Sequence, residues 1–566
     1  MAWPYHFSTL DGDQKHARRL LLDRYGAFAQ LSAIVPVIIY QLYRLGVWVY
    51  SERQRSKATY SALSSPARKK HKHTATGSAV RRWNKVKWWL EDDLASGWGS
   101  RGYWITGIFW TSWLLFLCVH KTGDDYLHIT KRFGHVAAAQ FPVHYMLAMK
   151  SVYSPLRLVF QTSHEKLNPW HRISGRIIYF LLFNHATWYL NYFIQNGIVY
   201  QRLTEFIIII GITSFLGITV LFSTALEAVR RWNYRLFFVL HFVLGLWTLP
   251  MLFFHVKELR LYMAEALALL IFDLVCRKID TITGHATVTK ITGTKLLKVK
   301  IPVPPTKLNR FAAAPGQHVY LFIPPESRPP NAGSPSIYDF LFNPFTVAEV
   351  SSTDITLVMR IGSGLSTSAI EKLASLTKAK PPIDIEGPYG TARQFPDLIN
   401  SYDRILLVAG GVGATFILPI YRHLRDELES ESMSPDRLKF IWSMRSGAEA
   451  GWAFDMPAEP SLEDDEHVKI YLTRGDADDK PSNEIVDSSV ELDDLQQTGR
   501  IIKATGGKER PDLKKIVNEI FKFGCEERIA VLVCGPKSLA RDLRKHVGDW
   551  VMKGREVWWY DETFGW

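Results

Sequence analysis

Cysteine is scarce in this chain of 566 residues, and the few cysteines present argue against both a disulfide framework and a cysteine-rich zinc site. The four cysteines, Cys118, Cys276, Cys525 and Cys534, are scattered along the chain and share no paired spacing. Such spacing fits neither a disulfide framework nor a zinc motif. The first 28 residues are polar and mixed in charge, and they lack the short apolar core of a cleavable secretory signal.

Apolar residues are unevenly distributed, although their overall share of 47% is ordinary. The first half contains several apolar stretches of nearly twenty residues, the second half resembles a soluble protein, and the length implies three or four structural units. The net charge of +13 would suit nucleic acid. Much of it, however, lies in loops beside apolar segments, where it reports membrane orientation. We therefore expect a lipid bilayer, and no nucleic acid, as a partner.

Seven apolar segments are long enough, or nearly so, to cross the hydrocarbon layer as helices. Gln140, Pro142 and His144 interrupt the third segment. The seventh contains Glu265 and Asp273, so it is expected to pack against protein on one side. The predicted spans are 29–50, 102–120, 133–150, 172–195, 203–226, 235–256 and 258–276.

Positive charge predicts how these spans are oriented. Loop 51–101, the region 230–235 and the pair Arg277-Lys278 are all basic. With seven spans they share one side, which should be cytoplasmic, and residues 1–28 form an N-terminal tail outside. The run SALSSPARKKHKHTATGSA within the basic loop is predicted to be disordered. It lies either near anionic lipid headgroups or, as we favour, in solvent as a topology determinant.

Four histidines give the most specific signal. His171 and His185 lie in one predicted span, His241 and His255 lie in another, and each pair is fourteen residues apart. Fourteen residues make nearly four helical turns, so both members of a pair face the same way, about 21 Å apart along the axis. A haem iron accepts one imidazole on each face, so two such helices predict two bis-histidine haems. The alternative is a set of core histidines that hydrogen-bond across helices.

Two haems held one above the other would form a path for electrons across the membrane, and the order of the histidines in each pair gives that path a direction. Both helices enter from the predicted cytoplasmic side, so the first histidine of each pair would hold the inner haem and the second the outer haem. Two further histidines, His135 and His144, lie nine residues apart and match no other pair. We predict that both are packed or hydrogen-bonded rather than bound to metal.

The second half changes to short alternating strands, which predict a small antiparallel barrel up to residue 400. After 401, strands and helices alternate as in a parallel α/β sheet. The strand 404–410 leads into the turn GGVGA and then a helix. Such a turn lets backbone N–H groups approach a phosphate, although a tight turn explains the glycines equally well. Further strands are predicted at 438–444, 467–473 and 528–535, and the acidic stretch 461–497 is expected to be a solvated insertion.

Taken in order, these residues resemble the ferric reductase family, particularly its fungal ferric and cupric reductases. Members are relatives of the NADPH oxidases, and their C-terminal half is similar to ferredoxin–NADP reductase. The resemblance covers roughly residues 130–566, and its motifs are HRISGR with the histidine pairs, PGQHVYL, NPFT, MRIGSGLST, EGPYG, LVAGGVGATF, VCGP and DETFGW. It implies a membrane-spanning all-α haem domain (29–276) with two haems b, an antiparallel β-barrel FAD domain (281–400) and an α/β parallel-sheet NADPH domain (401–566).

The resemblance also implies the residues of the flavin site. The flavin ring and ribityl chain would be held by Pro344, Phe345 and Thr346. The FAD pyrophosphate would be held by Arg360, helped by Gly364, Ser366 and Thr367. A forked guanidinium beside a helix N-terminus suits a pyrophosphate. The family often has His before Pro-Phe-Thr, and this chain has Asn343, which can still hydrogen-bond.

The NADPH site follows from the same resemblance. The nicotinamide approach would be shaped by Gly387, Pro388 and Gly390, and the pyrophosphate cradled by Gly410, Gly411 and Gly413. Cys534, with Gly535 and Pro536, would lie beside the nicotinamide as a catalytic position. The terminal aromatic Trp566 would be the second catalytic position, stacked on the flavin; alternatively, it belongs to a frayed C-terminus. Arg445 is the candidate for the 2′-phosphate, whereas Arg474 and Arg510 are expected to be ordinary surface arginines.

The implied activity is that of an NADPH-dependent ferric-chelate reductase. It would move electrons from cytosolic NADPH through FAD and two haems to ferric or cupric chelates outside the plasma membrane. Functional coupling to an iron permease or oxidase would be compatible with this activity. A superoxide-forming NADPH oxidase is the first alternative, and the equal histidine spacings and the extra N-terminal span favour the metalloreductase. A catalytically silent membrane partner is the second, against which the intact haem ligands and nucleotide motifs argue.

Overall fold

The computed structural model describes residues 4–57, 75–95, 98–328, 343–362, 365–375, 380–454, 462, 464–473, 509–524 and 527–562. The chain divides into two compact units, Met1–Arg68 with Leu90–Ile279 and Lys69–Trp89 with Asp280–Trp566. The first unit is helical, and the second joins an antiparallel and a parallel sheet. This is the predicted fold class of a helical membrane part followed by a barrel and an α/β domain.

Helices account for the regular structure up to residue 280. By length and composition, four described segments could cross a membrane, namely Gly12–Val49, Arg101–Val119, Phe206–Thr224 and Tyr234–His255. The number of spans therefore stays a prediction. The helices are α1 (Gly12–Leu31), α2 (Ile34–Lys57), α3 (Ala75–Glu91), α4 (Arg101–Val119), α5 (Tyr126–Ala138), α6 (Phe141–Ala148), α7 (Pro155–Phe160), α8 (His164–Gln195), α9 (Val199–Leu203), α10 (Phe206–Thr224), α11 (Glu227–Trp232), α12 (Tyr234–His255) and α13 (Arg260–Asp280).

The region predicted as the N-terminal tail, residues 1–28, is helical from Gly12, where α1 begins. Asp11 and Gln14 form a capping box at its start, which satisfies otherwise unpaired backbone N–H groups. Leu22 and Tyr25 of α1 are buried. The tail is therefore largely a packed helix, and its polar sequence reflects its exposed face.

The third predicted span is also wrong as a single helix, because it divides into α5 and α6. The buried Gln140 lies at the break, where its amide donates to the Ala29 carbonyl (3.0 Å) and accepts from the Trp110 indole (3.2 Å). Pro142 occupies the first turn of α6, where its missing N–H removes no helical hydrogen bond. The interruption noted in the sequence thus ends one helix and starts another.

The seventh predicted span, α13, packs against protein as expected. Glu265 accepts a hydrogen bond from Gln30 at 2.5 Å, and buried Asp273 accepts from the Ser151 backbone N–H at 2.8 Å. The basic loop differs from its prediction. The low-complexity run 61–79 lies outside the described residues up to position 74, but from Ala75 onward the chain forms α3 instead of disordered coil.

An antiparallel sheet follows α13 and forms a nearly closed barrel. Its strand order is β1-β7-β4-β5-β6-β3-β2. At Gly284 of the first strand, an added Cβ would lie 2.7 Å from Ile301 on β3, so glycine permits the approach that nearly closes the barrel. The elements are β1 (Ile282–His285), β2 (Thr287–Ile291), β3 (Leu296–Pro302), α14 (Pro305–Ala312), β4 (His318–Phe322), β5 (Asn343–Val350), β6 (Asp354–Arg360), α15 (Leu365–Ser375) and β7 (Pro382–Tyr389).

A parallel sheet in the order β10-β9-β8-β11-β12 completes the second unit. The strands predicted at 404–410, 438–444, 467–473 and 528–535 are confirmed, whereas β1 and β12 were not foreseen. Most of the acidic stretch 461–497 lies outside the described residues. The elements are α16 (Leu398–Ser401), β8 (Arg404–Gly410), α17 (Ala414–Ser430), β9 (Leu438–Met444), α18 (Gly451–Phe454), β10 (Val468–Leu472), α19 (Leu513–Phe521), β11 (Ile529–Cys534), α20 (Lys537–Met552) and β12 (Val557–Glu562).

The barrel and the parallel sheet share an apolar core within the second unit. Phe416 and Ile420 of α17 pack at Gly316, where an added Cβ would lie 2.9 Å from either side chain. Thr391, just after β7, shares a 2.6 Å hydrogen bond with the hydroxyl of Tyr560 on β12. The flavin and nucleotide motifs are therefore carried on two sheets that pack against each other.

Candidate functional site

The inner histidines lie opposite each other on α8 and α12. The ring centroids of His171 and His241 are 6.1 Å apart, and the ring planes are inclined by 73°. The His171 Nδ1–H donates to the His144 carbonyl at 3.1 Å. A carbonyl can only accept, so this bond puts the proton on Nδ1 and leaves Nε2 of His171 free to bind a metal.

His241 completes the inner pair without such a bond. Its Nδ1 is buried and has no hydrogen-bond partner in the part of the chain that the structure describes. His241 thus lacks the carbonyl contact that orients the other three predicted ligands, and its position in an apolar helix is what favours a ligand-binding role. The pair fits an iron held by one imidazole from each helix.

The outer histidines are fixed by two neighbouring helices in the same manner. The His185 Nδ1–H donates to the Thr130 carbonyl of α5 at 2.8 Å. The His255 Nδ1–H donates to the Ile207 carbonyl of α10 at 2.9 Å. Both bonds leave Nε2 for a metal, so three of the four predicted ligands carry the same orienting contact.

A glycine one turn after each carbonyl makes room for the outer rings. An added Cβ at Gly134, four residues after Thr130, would lie 2.7 Å from His185 Nδ1. One at Gly211, four residues after Ile207, would lie 2.6 Å from His255 Cε1. The carbonyl and the glycine on each helix thus form one seat for the ring, and sequence reasoning missed all four residues.

The two unmatched histidines contact other protein groups. Buried His135 lies 3.3 Å from the Asp23 carboxylate. His144 lies 3.2 Å from the Ser174 hydroxyl and stacks on His171 with centroids 4.1 Å apart. Among the described residues no cluster of three or more His, Cys, Asp or Glu could hold a metal ion. Paired imidazoles nevertheless suffice for haem, because the porphyrin supplies the other iron ligands.

We expect Gly211→Ala to disturb the outer haem selectively, because the new methyl group overlaps the His255 ring. The haem-to-protein ratio, measured from Soret absorbance, should fall from about two towards about one. Gly46→Ala on α2 is the matched control, since an added Cβ there has no atom within 4 Å. Two haems with an unchanged spectrum in Gly211→Ala would contradict the proposed seat.

The nucleotide motifs converge at the carboxyl edge of the parallel sheet. Gly410 ends β8, exposed Arg445 follows β9, and Cys534 ends β11. The strand order reverses between β8 and β11, and ligands of open α/β sheets bind in the crevice at such a point. The structure therefore brings the predicted NADPH residues of these three strands to one edge.

Close backbone packing explains two of the glycines at this edge. An added Cβ at Gly413 would lie 2.3 Å from the Cys534 carbonyl oxygen, and one at Gly410 would lie 2.8 Å from Pro536 Cδ. Gly411 has a φ of +56°, a conformation that side chains disfavour. The turn therefore runs directly against the Cys534-Gly535-Pro536 segment, leaving a backbone-lined surface suited to phosphates.

Cys534 itself is fully buried in the core behind this edge. Burial raises the pKa of its thiol well above the usual range, and the nearby carboxylates of Glu562 and Asp561 raise it further. The thiol is therefore neutral at physiological pH. It can pack behind a bound ring, but it cannot act as a thiolate.

The flavin motif lies on adjoining barrel strands. Pro344 and Phe345 are half-buried on β5, Thr346 is buried, and Asn343 begins the strand opposite Leu321. Thr367 in α15 bonds back to Gly362 at 3.2 Å, which closes the turn after β6. Gly364 and the Ser366 side chain lie outside what the structure describes.

Arg360, at the end of β6, lies near residues of the parallel-sheet domain. Its guanidinium donates to Glu449 at 2.7 Å and would lie 3.7 Å from a Cβ at Gly411. Gly387, near the end of β7, and Gly390, just after it, have φ of +147° and +117°, and Pro388 lies between them. Arg360 thus lies next to the glycine-rich turn of the predicted nucleotide site, and its pairing with Glu449 was not foreseen.

Three remaining candidates have different outcomes. Arg510 is exposed ahead of α19, as an ordinary surface arginine would be. Arg474 and Trp566 lie beyond the described residues. Their roles stay predictions.

Three protein families match the chain in sequence order. Residues 133–252 match the ferric reductase like transmembrane component, residues 283–393 match an FAD-binding domain, and residues 402–548 match the ferric reductase NAD binding domain. The first match contains all four paired histidines except His255, which lies three residues beyond its end. The second and third contain the barrel motifs and the glycine-rich turn with the VCGP segment.

Relatives that match most of the chain are named as metalloreductases or ferric reductases. The chain is 25% identical to the probable metalloreductase AIM14 of Scheffersomyces stipitis, over 84% of this chain and 90% of the relative. The chain is 23% identical to ferric reductase transmembrane component 1 of Schizosaccharomyces pombe, over 74% of this chain and 76% of the relative. It is 22% identical to ferric/cupric reductase transmembrane component 2 of the same organism, over 77% of this chain and 80% of the relative. The chain thus matches, in sequence order, a ferric reductase like transmembrane component, an FAD-binding domain and a ferric reductase NAD binding domain.

Proposed function

We propose that this protein is a transmembrane metalloreductase that moves electrons from cytosolic NADPH to ferric or cupric chelates on the opposite side of the membrane. The paired histidines on α8 and α12, with three of their four Nδ1 atoms bonded to backbone carbonyls, carry the proposal. The names of the fungal relatives support the metal acceptor. The proposal rests on the matches to a transmembrane component, an FAD-binding domain and an NAD binding domain, which together indicate an oxidoreductase in a membrane.

The chain's own residues supply binding and position. When bound, the nicotinamide nucleotide would supply a hydride, FAD would convert it to single electrons, and the haems would carry those electrons through the bundle. The backbone N–H groups of the turn at Gly410–Gly413 would hold the nucleotide pyrophosphate at the start of α17. Arg445, exposed beside that turn, would meet the 2′-phosphate that distinguishes NADPH from NADH.

Spacing along α8 and α12 would set the two haem positions. Fourteen residues, about 21 Å along a helix axis, separate the two histidines on each helix, so each helix would supply one ligand at each of two levels. The carbonyl of Thr130 and that of Ile207 hold the outer imidazoles in fixed tautomers. These contacts would keep the orientation of the imidazole rings constant, which suits electron transfer.

Ferrous iron outside intact cells tests the proposed acceptor. The protein would be expressed in yeast that lacks its own surface reductases, and an impermeant chelator would trap ferrous iron with and without superoxide dismutase. Iron reduction that persists with dismutase and disappears in His185→Ala supports direct metal reduction. Reduction abolished by dismutase would identify superoxide as the product, and an absence of both haem and activity would favour a silent partner.

We expect Glu449→Gln to strengthen FAD binding, because Glu449 holds the guanidinium that the FAD pyrophosphate would use. Arg360 is partly exposed, and ion pairs of this kind contribute about 0.2–1 kcal/mol. The dissociation constant for FAD should therefore fall by up to about fivefold, measured by flavin fluorescence quenching on flavin-depleted protein.

Two variants control this measurement. Arg360→Gln should weaken FAD binding, because it removes the donor itself. Glu429→Gln removes another helical carboxylate, paired with Arg425 at 3.0 Å on α17, and should leave the constant unchanged. Equal constants in Glu449→Gln and the unchanged protein would show that Glu449 does not compete with the flavin.

A further inference from the structure

The helix α3 has one face packed on the NAD-binding part of the second unit. The Trp88 ring meets Trp559 of β12 edge to face, with centroids 5.8 Å apart. The Arg544 guanidinium of α20 lies 4.2 Å from the Trp88 ring centre and donates to the Trp88 carbonyl at 3.2 Å. Gly548 permits this approach, because an added Cβ would lie 3.0 Å from the Trp88 indole nitrogen.

The C-terminal end of α3 lies beside the first turn of α4, a candidate membrane span. The Arg101 backbone N–H donates to the Asp92 carbonyl at 3.0 Å, and its guanidinium pairs with the Asp92 carboxylate at 2.8 Å. An added Cβ at Gly102 would lie 3.2 Å from the Leu90 carbonyl. Because α4 begins at Arg101, this end of α3 is expected at the membrane surface.

The face of α3 away from Trp88 is apolar and exposed. Trp83 is 61% exposed and Val86 is 46% exposed. At 100° per residue these two lie about 140° or more from Trp88, and the exposed basic residues Arg82 and Lys87 flank them on either side. Tryptophan and aliphatic residues flanked by Lys and Arg are typical of helices that lie in the headgroup layer.

We propose that the Trp83–Val86 face of α3 is a binding surface for the anionic headgroups of the adjoining bilayer leaflet. The flanking charges favour anionic lipid over a neutral surface, and only fourteen positions separate Lys87 from Arg101, where the candidate span α4 begins. With NADPH bound in the cytosol the leaflet is the cytoplasmic one, and only this assignment of the side rests on the proposed function.

Depth-dependent fluorescence quenching tests this surface on the full-length protein. Val86→Cys, with Cys276 and Cys525 replaced by serine, would be labelled with an environment-sensitive fluorophore and placed in nanodiscs containing nitroxide-labelled lipid. We expect quenching at least about threefold stronger in phosphatidylserine-containing discs than in purely phosphatidylcholine discs. Asn84→Cys, on the opposite side of the helix, is the matched control and should stay unquenched in both.

Removing the charges gives the second measurement. Arg82→Gln combined with Lys87→Gln should abolish the difference between the two lipid compositions, while NADPH-dependent haem reduction reports that the protein is folded. Equal quenching at positions 84 and 86, or none at 86, would overturn the proposal. A label at 86 that is shielded in native membranes but not in nanodiscs would assign the face to a protein partner instead and also overturn it. None of these readouts depends on which acceptor the protein reduces.

Discussion

His255→Ala is expected to remove the outer haem and stop electron delivery across the membrane, while the soluble half still oxidises NADPH. Alanine has no nitrogen to bind iron, and the Ile207 carbonyl loses the imidazole that it orients. Haem per protein should fall from about two to about one. Extracellular iron reduction should fall to the level of cells without the protein, whereas reduction of a soluble dye by NADPH persists.

The matched control is His135→Gln, which replaces a buried histidine that pairs with Asp23. It should keep both haems and change iron reduction by no more than about twofold, because glutamine can still donate to a carboxylate. Two haems and normal iron reduction in His255→Ala would remove α12 from the proposed electron path. Equal haem loss in both variants would indicate general damage to the bundle.

The histidine pairs could be predicted from the sequence because imidazoles are costly in apolar helices, and two pairs with equal spacing rarely arise by chance. Their seats could not. Thr130 and Ile207 act through backbone carbonyls, which have no residue-specific signature. Gly134 and Gly211 lie on other helices than the rings they accommodate, so only the packing of α5 on α8 and of α10 on α12 reveals them.

The helix α3 is a case in which local composition predicted the wrong structure. Its neighbourhood is rich in Lys, Arg and Ser, which is typical of solvated coil, so disorder was the natural prediction for the run before it. The helix instead uses Trp88 to pack on Arg544 and Trp559, residues more than 450 positions away in the chain. Tertiary contacts of this kind override local composition.

The strands of the second unit were easier, because their signals are local. Alternation of apolar and polar residues predicts half-buried barrel strands, and the run RILLVAG predicts the buried strand β8. The C-terminal strand β12 escaped because Val557–Glu562 ends in acidic residues and has no turn signal after it. Its place beside β11 depends on the parallel register, which no local pattern encodes.

Gly413→Ala is expected to abolish nucleotide-driven electron entry with little effect on the haems. The new methyl group would lie 2.3 Å from the Cys534 carbonyl oxygen and 2.7 Å from its carbon. Both are backbone atoms of a buried strand, so the start of α17 must shift instead. A displacement of about 1 Å at such a site can cost about a hundredfold in rate, so kcat/KM for NADPH should fall by that order.

The readout separates nucleotide entry from the rest of the path. In Gly413→Ala, dithionite should still reduce both haems, and FAD should remain bound, because the flavin residues lie on β5 and β6. Gly451→Ala makes the same chemical change at the start of α18, where the backbone is helical and an added Cβ meets no atom within 4 Å. Its kinetics should be unchanged, so a loss confined to Gly413→Ala would locate nucleotide binding at the crossing of the β8 turn and the end of β11. Normal NADPH kinetics in Gly413→Ala would mean that the backbone contact is not needed to hold the nucleotide.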